Sequence, residues 1–311
     1  MSDVVWDAVG DRLTAPSPDL ERIPFTPGDV VSDDDMARIE VAFLSMDMWP
    51  HATPAYMSVC LQAPNLRWLH SGSAGVDHPV FRMIIDKGAR LTNSSGSSAT
   101  SIAHHVMMSL LALRRDLMGF LRDQATREWR TRDVGDLEGK TVGVLGMGPI
   151  GRESARLAQA FGMHVIGMRR TVTGDEPCET WTLERLHELL PRLDALVLAL
   201  PLSPETRHLI GAEELALLPV GAHVLNVGRG ELIDEAALID ALTSGHVGAA
   251  SLDVTELEPL PTNSPLWSMH NVIITPHSSG STESTRIRAR EMFVSEFTRF
   301  VRGNPFEREI L

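Results

Sequence analysis

The chain of 311 residues, 43% hydrophobic and 22% charged, is long enough for two soluble domains that each bury a core of their own. Its formal net charge of −13, with no basic run, argues against nucleic acid or an anionic membrane surface as a partner. The only two cysteines, Cys60 and Cys178, exclude a disulfide framework and favour a cytoplasmic location.

The first 95 residues predict a small α/β unit. Residues 1–7 carry neither the basic region nor the apolar core of a signal peptide, and no apolar run in the chain is long enough to span a bilayer. Strands are predicted at 41–44, 67–70 and 90–92, and helices at 53–61 and 79–87. Strands that alternate with helices in this way indicate a parallel sheet covered on both faces.

Residues 93–98 form a polar segment, Asn-Ser-Ser-Gly-Ser-Ser, which we predict to be a flexible hinge. Apolar residues then recur at spacings of three and four, which predicts one long helix from Ile102 to Phe120. His104 and His105 are neighbours on this helix and point roughly 100° apart, so they cannot easily hold one metal ion. We interpret them as packing or interface residues and predict no metal site.

The most informative segment combines an apolar strand with closely spaced glycines. The predicted strand at 141–145 is followed by Gly146, Gly148 and Gly151, and then by a predicted helix at 152–161. In the pattern G-x-G-x-x-G, the glycines allow a tight turn, close approach of a pyrophosphate and close packing of helix on strand. The helix N-terminus offers free N–H groups to the phosphates. The pattern alone is weak, but its strand–turn–helix context favours a dinucleotide site.

The chain after this turn continues the alternation. Strands are predicted at 165–168, 194–200, 222–227, 247–254 and 271–275, and helices at 182–190, 212–218 and 235–242, the first capped by Thr182 and the last by Asp234. A final helix, 284–301, follows the last strand, and we expect it to cross back to the first domain. We therefore predict one domain from 1–94 with 283–311, and a second from 95–282.

Three side chains follow successive predicted strands of the second domain: Arg229, Glu258 and His277. Each alone has an ordinary explanation, as a solvated loop cation, an exposed turn carboxylate and a packing histidine. Ligands bind at the carboxyl ends of parallel strands, so we expect the three near a bound dinucleotide. Together they suit a 2-oxo acid, because guanidinium binds a carboxylate through two hydrogen bonds and histidine donates a proton to a carbonyl oxygen. A neighbouring carboxylate would raise the pKa of the histidine and fix its ring.

At these residues the chain resembles the D-isomer-specific 2-hydroxyacid dehydrogenases. The resemblance rests on Asn226–Leu238, with the sequence NVGRGELIDEAAL, and on Leu252–Val254, Glu258–Pro261 and Thr275–His277. These specific motifs cover nearly all of 139–282. Over the first 94 residues the resemblance rests mainly on the sequence Ser-Ala-Gly-Val-Asp at 73–77.

The resemblance implies a Rossmann-type doubly wound parallel sheet domain for the cofactor and a smaller flavodoxin-like α/β domain for the substrate. It implies that Arg229 binds the substrate, that His277 paired with Glu258 is the acid/base, and that Asp253 contacts the nicotinamide amide. The substrate-binding residues that it implies are Ser73, Ala74, Gly75, Val76, Arg229 and His277, with the loop acting through its backbone N–H groups. It also implies a homodimer through the cofactor domain, which suits the long predicted helix.

The residues that follow the second predicted strand of the dinucleotide site differ from those of NAD-binding proteins. An acidic residue is expected about 20 positions after the glycines of an NAD site. This chain has Arg169, Arg170 and Thr171 there, which would bind a 2′-phosphate, although a solvated basic pair is an alternative explanation. We therefore predict NADP(H) in preference to NAD(H). The predicted cofactor-binding residues are Gly146, Met147, Gly148, Pro149, Ile150, Gly151, Arg169, Arg170, Thr171, Leu200, Pro201, Thr206, Val227, Gly228, Arg229, Asp253 and His277.

Several questions about function stay open at the level of the sequence. Relatives with this arginine pair resemble glyoxylate and hydroxypyruvate reductases, which makes those 2-oxo acids the first candidate substrates. Met46, Met48 and Trp49 follow a first-domain strand and either favour a larger apolar side chain or belong to the core. A formate dehydrogenase is disfavoured, because that family carries glutamine where Glu258 stands. The alternative from another class is a nucleotide-sensing binding module, since the family includes transcriptional corepressors.

Overall fold

The computed structural model describes residues 1–26, 28, 30–49 and 51–310. The chain divides into two compact units, Met1–Ser98 with Ser281–Leu311 and Ala99–Gly280. The sequence placed the boundaries a few residues away, at 94/95 and 282/283. The assignment of substrate to one unit and cofactor to the other stays a prediction.

Helices and strands alternate through most of the chain. The helices are α1 Asp3–Thr14, α2 Asp33–Arg38, α3 Thr53–Gln62, α4 Pro79–Asp86, α5 Ala99–Arg114, α6 Leu117–Thr126, α7 Pro149–Ala160, α8 Leu186–Leu189, α9 Ala212–Leu217, α10 Glu235–Thr243 and α11 Glu283–Val301. The strands are β1 Val41–Leu44, β2 Trp68–Ser71, β3 Arg90–Asn93, β4 Thr141–Leu145, β5 His164–Arg169, β6 Glu179–Thr182, β7 Ala195–Leu198, β8 Ala222–Asn226, β9 Val247–Leu252, β10 Val272–Ile274 and β11 Glu309–Ile310. In the part of the chain that the structure describes, no helix has the length and apolar character needed to cross a membrane.

The first unit is built on a four-stranded sheet with the order β1-β2-β3-β11. The first three strands are parallel, and β11 pairs with β3 in the antiparallel direction. On one face, α1 and α11 contribute to an aromatic core in which the rings of Phe43 and Phe293 stack with their centroids 4.4 Å apart. Helix α1, which begins after Ser2 as its N-cap, and the two-residue strand β11 were not predicted from the sequence.

The second unit contains a seven-stranded sheet with the order β10-β9-β8-β7-β4-β5-β6, and every pairing in it is parallel. The chain adds β5 and β6 on one side of β4 and then returns to build β7 to β10 on the other side. The strand order therefore reverses between β4 and β7, which is where open α/β sheets bind ligands. All residues of β7 and nearly all of β4 are buried, as expected for strands covered on both faces. This is the doubly wound sheet that the sequence predicted.

Two local predictions were wrong. The single long helix is two helices, because Asp116 adopts a left-handed conformation (φ 48°) and its side chain caps α6 by accepting a hydrogen bond from the Gly119 N–H. Thr182 ends strand β6, which the sequence analysis missed, and its side chain does not cap a helix. The polar segment 93–98 is a hydrogen-bonded turn in which Asn93, Ser94 and Ser97 are buried. Its proposed role as a hinge stays a prediction.

Candidate active site

The glycine-rich turn between β4 and α7 is shaped by close backbone approaches. Gly146 has φ 101°, and a Cβ there would lie 2.6 Å from the carbonyl oxygen of Ala199. A Cβ at Gly151 would clash with the carbonyl oxygen of Gly146, whereas one at Gly148 would meet open space. Helix α7 begins with Pro149 after Gly148, and its first turn has no acidic side chain. The turn therefore leaves a helix N-terminus accessible to an anion, which fits the pyrophosphate of a dinucleotide.

At the end of β5, Arg169 is bound by a carboxylate of its own chain. Its Nη1 lies 2.7 Å from Oε1 of Glu176 and 2.9 Å from Oγ1 of Thr173. The Glu176 carboxylate also accepts hydrogen bonds from the backbone N–H groups of Thr173 (2.9 Å) and Gly174 (2.8 Å). The side chain of Glu176 is only 2% exposed, and these hydrogen bonds, first that of Thr173, hold its pKa well below the usual range. The pairing of Arg169 with Glu176 was not predicted from the sequence.

The next two residues of the predicted phosphate site, Arg170 and Thr171, are exposed. The positive charge of Arg170 contributes to lowering the pKa of Glu205, after the larger effect of the hydrogen bond from Ser203. Arg170 is therefore close to the loop that follows β7. In that loop Leu200 and Thr206 are buried, and the Thr206 hydroxyl donates a hydrogen bond to the Pro201 carbonyl (2.9 Å).

The turn that carries Arg229 follows β8 directly. The buried side chain of Asn226 fixes this turn by accepting a hydrogen bond from the Gly228 N–H (3.0 Å) and donating one to the Arg229 carbonyl (2.7 Å). A Cβ at Gly228 would lie 2.8 Å from the Leu200 carbonyl oxygen, so the loops after β7 and β8 are in close contact. Val227, between Asn226 and Gly228, is buried. Arg229 itself is half-buried, and its Nη1 donates to the Gly228 carbonyl (2.7 Å).

The turn that carries His277 is organised by the buried Asp253. Its Oδ1 accepts hydrogen bonds from the Thr275 hydroxyl (2.6 Å) and from the N–H groups of Ser278 (2.9 Å) and Ser279 (3.0 Å). The His277 N–H donates to the Asp253 carbonyl (2.7 Å), and His277 has a left-handed backbone with φ 50°. The resemblance implied a nicotinamide contact for Asp253, which stays a prediction, whereas this structural role was not predicted. A buried carboxylate directly after a strand was the available signal.

His277 and Glu258 form a hydrogen-bonded pair at this edge. Nδ1 of His277 lies 2.8 Å from Oε2 of Glu258, and the two side chains are 41% and 38% exposed. The hydrogen bond to Glu258 raises the pKa of His277, while partial burial and the positive charge of Arg229 oppose the rise. Because Nδ1 is engaged, Nε2 is the ring atom that can deliver or accept a proton. The three predicted catalytic residues thus lie in the same unit, and the charges of Glu258 and Arg229 both act on His277.

The neighbouring helix α5 contributes a histidine to the surroundings of Asp253. His105 is half-buried, its Nε2 has no hydrogen-bond partner within the described residues, and burial lowers its pKa against the opposing charge of Asp253. His104 is exposed. A search of the described ranges finds no group of three or more His, Cys, Asp or Glu side chains placed to hold a metal ion.

The predicted substrate loop, Ser73–Val76, belongs to the first unit and follows β2. Ser73 is exposed, and the other three residues are half-buried. Of the apolar residues after β1, Met48 is part of the core, which supports the packing interpretation for that residue. Met46 is half-buried, whereas Trp49 is 63% exposed.

Comparisons with known proteins give the chain a family. The family model for the NAD binding domain of D-isomer specific 2-hydroxyacid dehydrogenases matches residues 107–279. The D-3-phosphoglycerate dehydrogenase of Methanocaldococcus jannaschii is 36% identical over 259 residues, which are 82% of this chain and 49% of that protein. The glyoxylate reductase of Aeropyrum pernix is 35% identical over 267 residues, which are 80% of this chain and 79% of that protein. The chain thus spans about half the length of the first relative.

A solved structure is similar over both units. It is the NADPH-dependent glyoxylate/hydroxypyruvate reductase from Sinorhizobium meliloti in complex with NADP and sulfate. The TM-score is 0.82 at 31% identity, and the match covers 99% of this chain and 96% of that chain. The comparisons confirm the predicted family, the α/β class and the use of a nicotinamide dinucleotide by the fold.

Proposed function

The chain belongs to the D-isomer specific 2-hydroxyacid dehydrogenase family, and we propose that it transfers a hydride between NADP(H) and a small 2-oxo acid/D-2-hydroxy acid pair. The observation that carries this proposal is the 2.8 Å hydrogen bond between His277 and Glu258, with the charge of Arg229 close enough to act on the same ring. Because the chain has a net charge of −13, an anionic substrate has to be bound by a local cation, and Arg229 provides one.

The proposed mechanism assigns one task to each of the three side chains. The cofactor, when bound, supplies the hydride that reduces the carbonyl carbon. The guanidinium of Arg229 binds the substrate carboxylate and polarises the carbonyl. Nε2 of protonated His277 delivers the proton to the carbonyl oxygen, and in the oxidation direction neutral His277 takes it back. Glu258 orients the ring through Nδ1 and stabilises the imidazolium.

We propose NADPH as the preferred reductant, with Arg170 as its main discriminating residue. Arg170 and Thr171 are exposed at the end of β5, where a ribose 2′-phosphate would lie. Arg169 contributes less, because Glu176 already neutralises part of its charge. The Sinorhizobium meliloti structure, which contains NADP, supports the same preference.

We propose glyoxylate and hydroxypyruvate as the first substrates to test, since the names of two relatives include them. Because another relative is a phosphoglycerate dehydrogenase, a phosphorylated 2-oxo acid should be tested beside them. The roles of Ser73, Ala74, Gly75 and Val76 in holding the substrate carboxylate remain part of this proposal.

We also propose a homodimer in which α5, α6 and the segment after α6 contact a second copy. These elements expose large apolar side chains that a monomer would leave in water: Met108, Leu117, Phe120, Leu121 and Trp129. Trp129 is 98% exposed. Exposed large apolar side chains on successive elements favour a protein interface, and sedimentation equilibrium measures the stoichiometry.

The direct test follows absorbance at 340 nm with NADPH or NADH and a panel of 2-oxo acids. We expect turnover of a small 2-oxo acid and a kcat/KM at least tenfold higher with NADPH. A tenfold preference for NADH would contradict the cofactor assignment. NADPH binding without turnover of any 2-oxo acid would instead favour the nucleotide-sensing module.

A further inference from the structure

The loop Ser73–Val76 has three successive carbonyl groups held by hydrogen bonds. The Ser73 carbonyl accepts from the Ser94 N–H (3.3 Å), the Ala74 carbonyl from the Asn93 side-chain amide (2.7 Å), and the Gly75 carbonyl from the Ser73 hydroxyl (3.1 Å). All donors and acceptors belong to the first unit. The orientation of each of these peptide planes is therefore fixed.

The fixed carbonyl groups determine the direction of the next N–H groups. In a trans peptide the C=O of one residue and the N–H of the next point in opposite directions. The N–H groups of Ala74, Gly75 and Val76 therefore point away from the donors that hold the loop. Within the residues that the structure describes, these three N–H groups have no hydrogen-bond acceptor. These three backbone N–H groups are therefore hydrogen-bond donors that an anionic ligand can use.

Asn93 is the side chain that ties this loop to the turn after β3. Its amide donates to Ala74, and its Oδ1 accepts from the Ser95 N–H (3.2 Å). The side chain of Asn93 is buried, and its two hydrogen bonds are part-buried, so they compete less with water than bonds on the open surface.

A second set of buried hydrogen bonds, made by His70, holds Ser94, the residue that follows Asn93 in the turn. Nε2 of the buried His70 lies 3.0 Å from the Ser94 hydroxyl, and its Nδ1 lies 2.6 Å from the Thr92 hydroxyl. Burial lowers the pKa of His70 to about 3, so the ring stays neutral at physiological pH. This support for Ser94 therefore does not change with pH in the neutral range.

We propose that Asn93 is a positioning residue for the carboxylate of the substrate. It fixes the Ala74 carbonyl and thereby aims the Gly75 N–H, the next group along the loop, towards a bound carboxylate. The inference rests on the proposed function, because it assumes that the substrate is a 2-oxo acid. Asn93 itself need not contact the substrate.

The test compares Asn93→Ala with a matched control, Asn65→Ala. The amide of Asn65 also donates to an alanine carbonyl at 2.7 Å in the first unit, that of Ala37, but on the exposed surface and away from the loop. Asn93→Ala should raise KM for the 2-oxo acid about five- to tenfold, the worth of one lost hydrogen bond. The inhibition constant of oxalate, a non-reacting carboxylate probe, should rise by the same factor. KM for NADPH should stay unchanged, and Asn65→Ala should match the wild type throughout.

The outcomes separate this inference from the proposed function. A wild-type enzyme that reduces no 2-oxo acid removes the proposed function and, with it, the premise of the inference. Turnover with an unchanged KM and oxalate constant in Asn93→Ala overturns the inference alone, as does an equal rise in KM for NADPH. If Asn93→Ala does not fold, Ser73→Ala removes, from an exposed position, the hydroxyl that bonds to the Gly75 carbonyl and to the Ser71 hydroxyl. KM for the 2-oxo acid should then rise about two- to fivefold, and an unchanged KM contradicts the account.

Discussion

Two regions of the second unit each pair a glutamate carboxylate with a basic side chain, and the two pairings have opposite effects on the basic group. At the edge formed by β9 and β10, the carboxylate of Glu258 is bonded to His277 at 2.8 Å. At the end of β5, the carboxylate of Glu176 is bonded to Arg169 at 2.7 Å. Glu258 remains 38% exposed, whereas the side chain of Glu176 is 2% exposed and is surrounded by donors.

The number of donors around each carboxylate explains the difference in role. Oε1 of Glu258 has one further hydrogen bond, from the Thr255 N–H at 3.3 Å, so its charge acts mainly on the histidine. Glu176 accepts from two backbone N–H groups, a hydroxyl and the guanidinium. The first carboxylate raises the proton affinity of a ring that stays accessible. The carboxylate of Glu176 instead occupies the guanidinium of Arg169, which is then less available to the cofactor phosphate that this site is proposed to bind.

The largest expected effect follows from removing the accessible ring. His277→Ala should lower kcat for 2-oxo acid reduction by about 10²- to 10⁴-fold, because no other group would deliver the proton. Stopped-flow absorbance at 340 nm measures the loss, and NADPH binding by fluorescence should be unchanged. The matched control is His187→Ala, since His187 is bonded to Glu214 at the same 2.8 Å in the same unit. Equal activity of the two variants would exclude His277 as the general acid.

A smaller effect is expected from removing the charge that acts on His277. Glu258 raises the pKa of His277, so the protonated acid persists to higher pH. Reduction should therefore fall as the pH rises through that pKa, and oxidation should rise over the same range. Glu258→Gln should move both limbs to lower pH and reduce the rate of reduction at pH 8 by up to about tenfold, because less of the ring is then protonated. The pH profile of kcat/KM measures the shift.

The corresponding change Glu214→Gln should leave the pH profile in place, because Glu214 is bonded to His187 and not to His277. A profile of Glu258→Gln that overlies that of the wild type would show that Glu258 does not set the proton affinity of His277.

The sequence predicted the residues of the first region because each lies in a segment that follows a strand. The strands themselves were predictable, since strands buried on both faces read as continuous apolar runs. Arg229 and His277 come within three residues of the ends of β8 and β10. The edge that they share then follows from the parallel topology alone.

The second region could be predicted only in part. The arginines at the end of β5 were visible in the sequence, but the bond between Arg169 and Glu176 depends on the turn that brings position 176 back. The missed strand β6 pairs with β5 alone at the edge of the sheet and lacks a continuous apolar run. The break at Asp116 rests on one left-handed residue, which the spacing of apolar side chains does not reveal.

The smallest effects concern the two arginines of the second region. Arg170→Ser should raise KM for NADPH about tenfold, because a charge-assisted hydrogen bond to a phosphate is lost. Arg169→Ser should raise it only about two- to threefold, since Glu176 already occupies that guanidinium. KM for NADH, which lacks the 2′-phosphate, serves as the internal control and should not change in either variant. Steady-state kinetics measure KM for NADPH and KM for NADH in each of the two variants.

The double variant Arg169→Ser with Glu176→Gln shows whether the carboxylate is the cause. In the background of Glu176→Gln, Arg169 is released from its counter-charge and should bind the phosphate more strongly. The rise in KM for NADPH caused by Arg169→Ser should therefore be about threefold larger in that background than in the wild type. If Arg169→Ser raised KM for NADPH by the same factor in both backgrounds, Glu176 would not compete with the cofactor for Arg169. The two regions would then differ in burial but not in function.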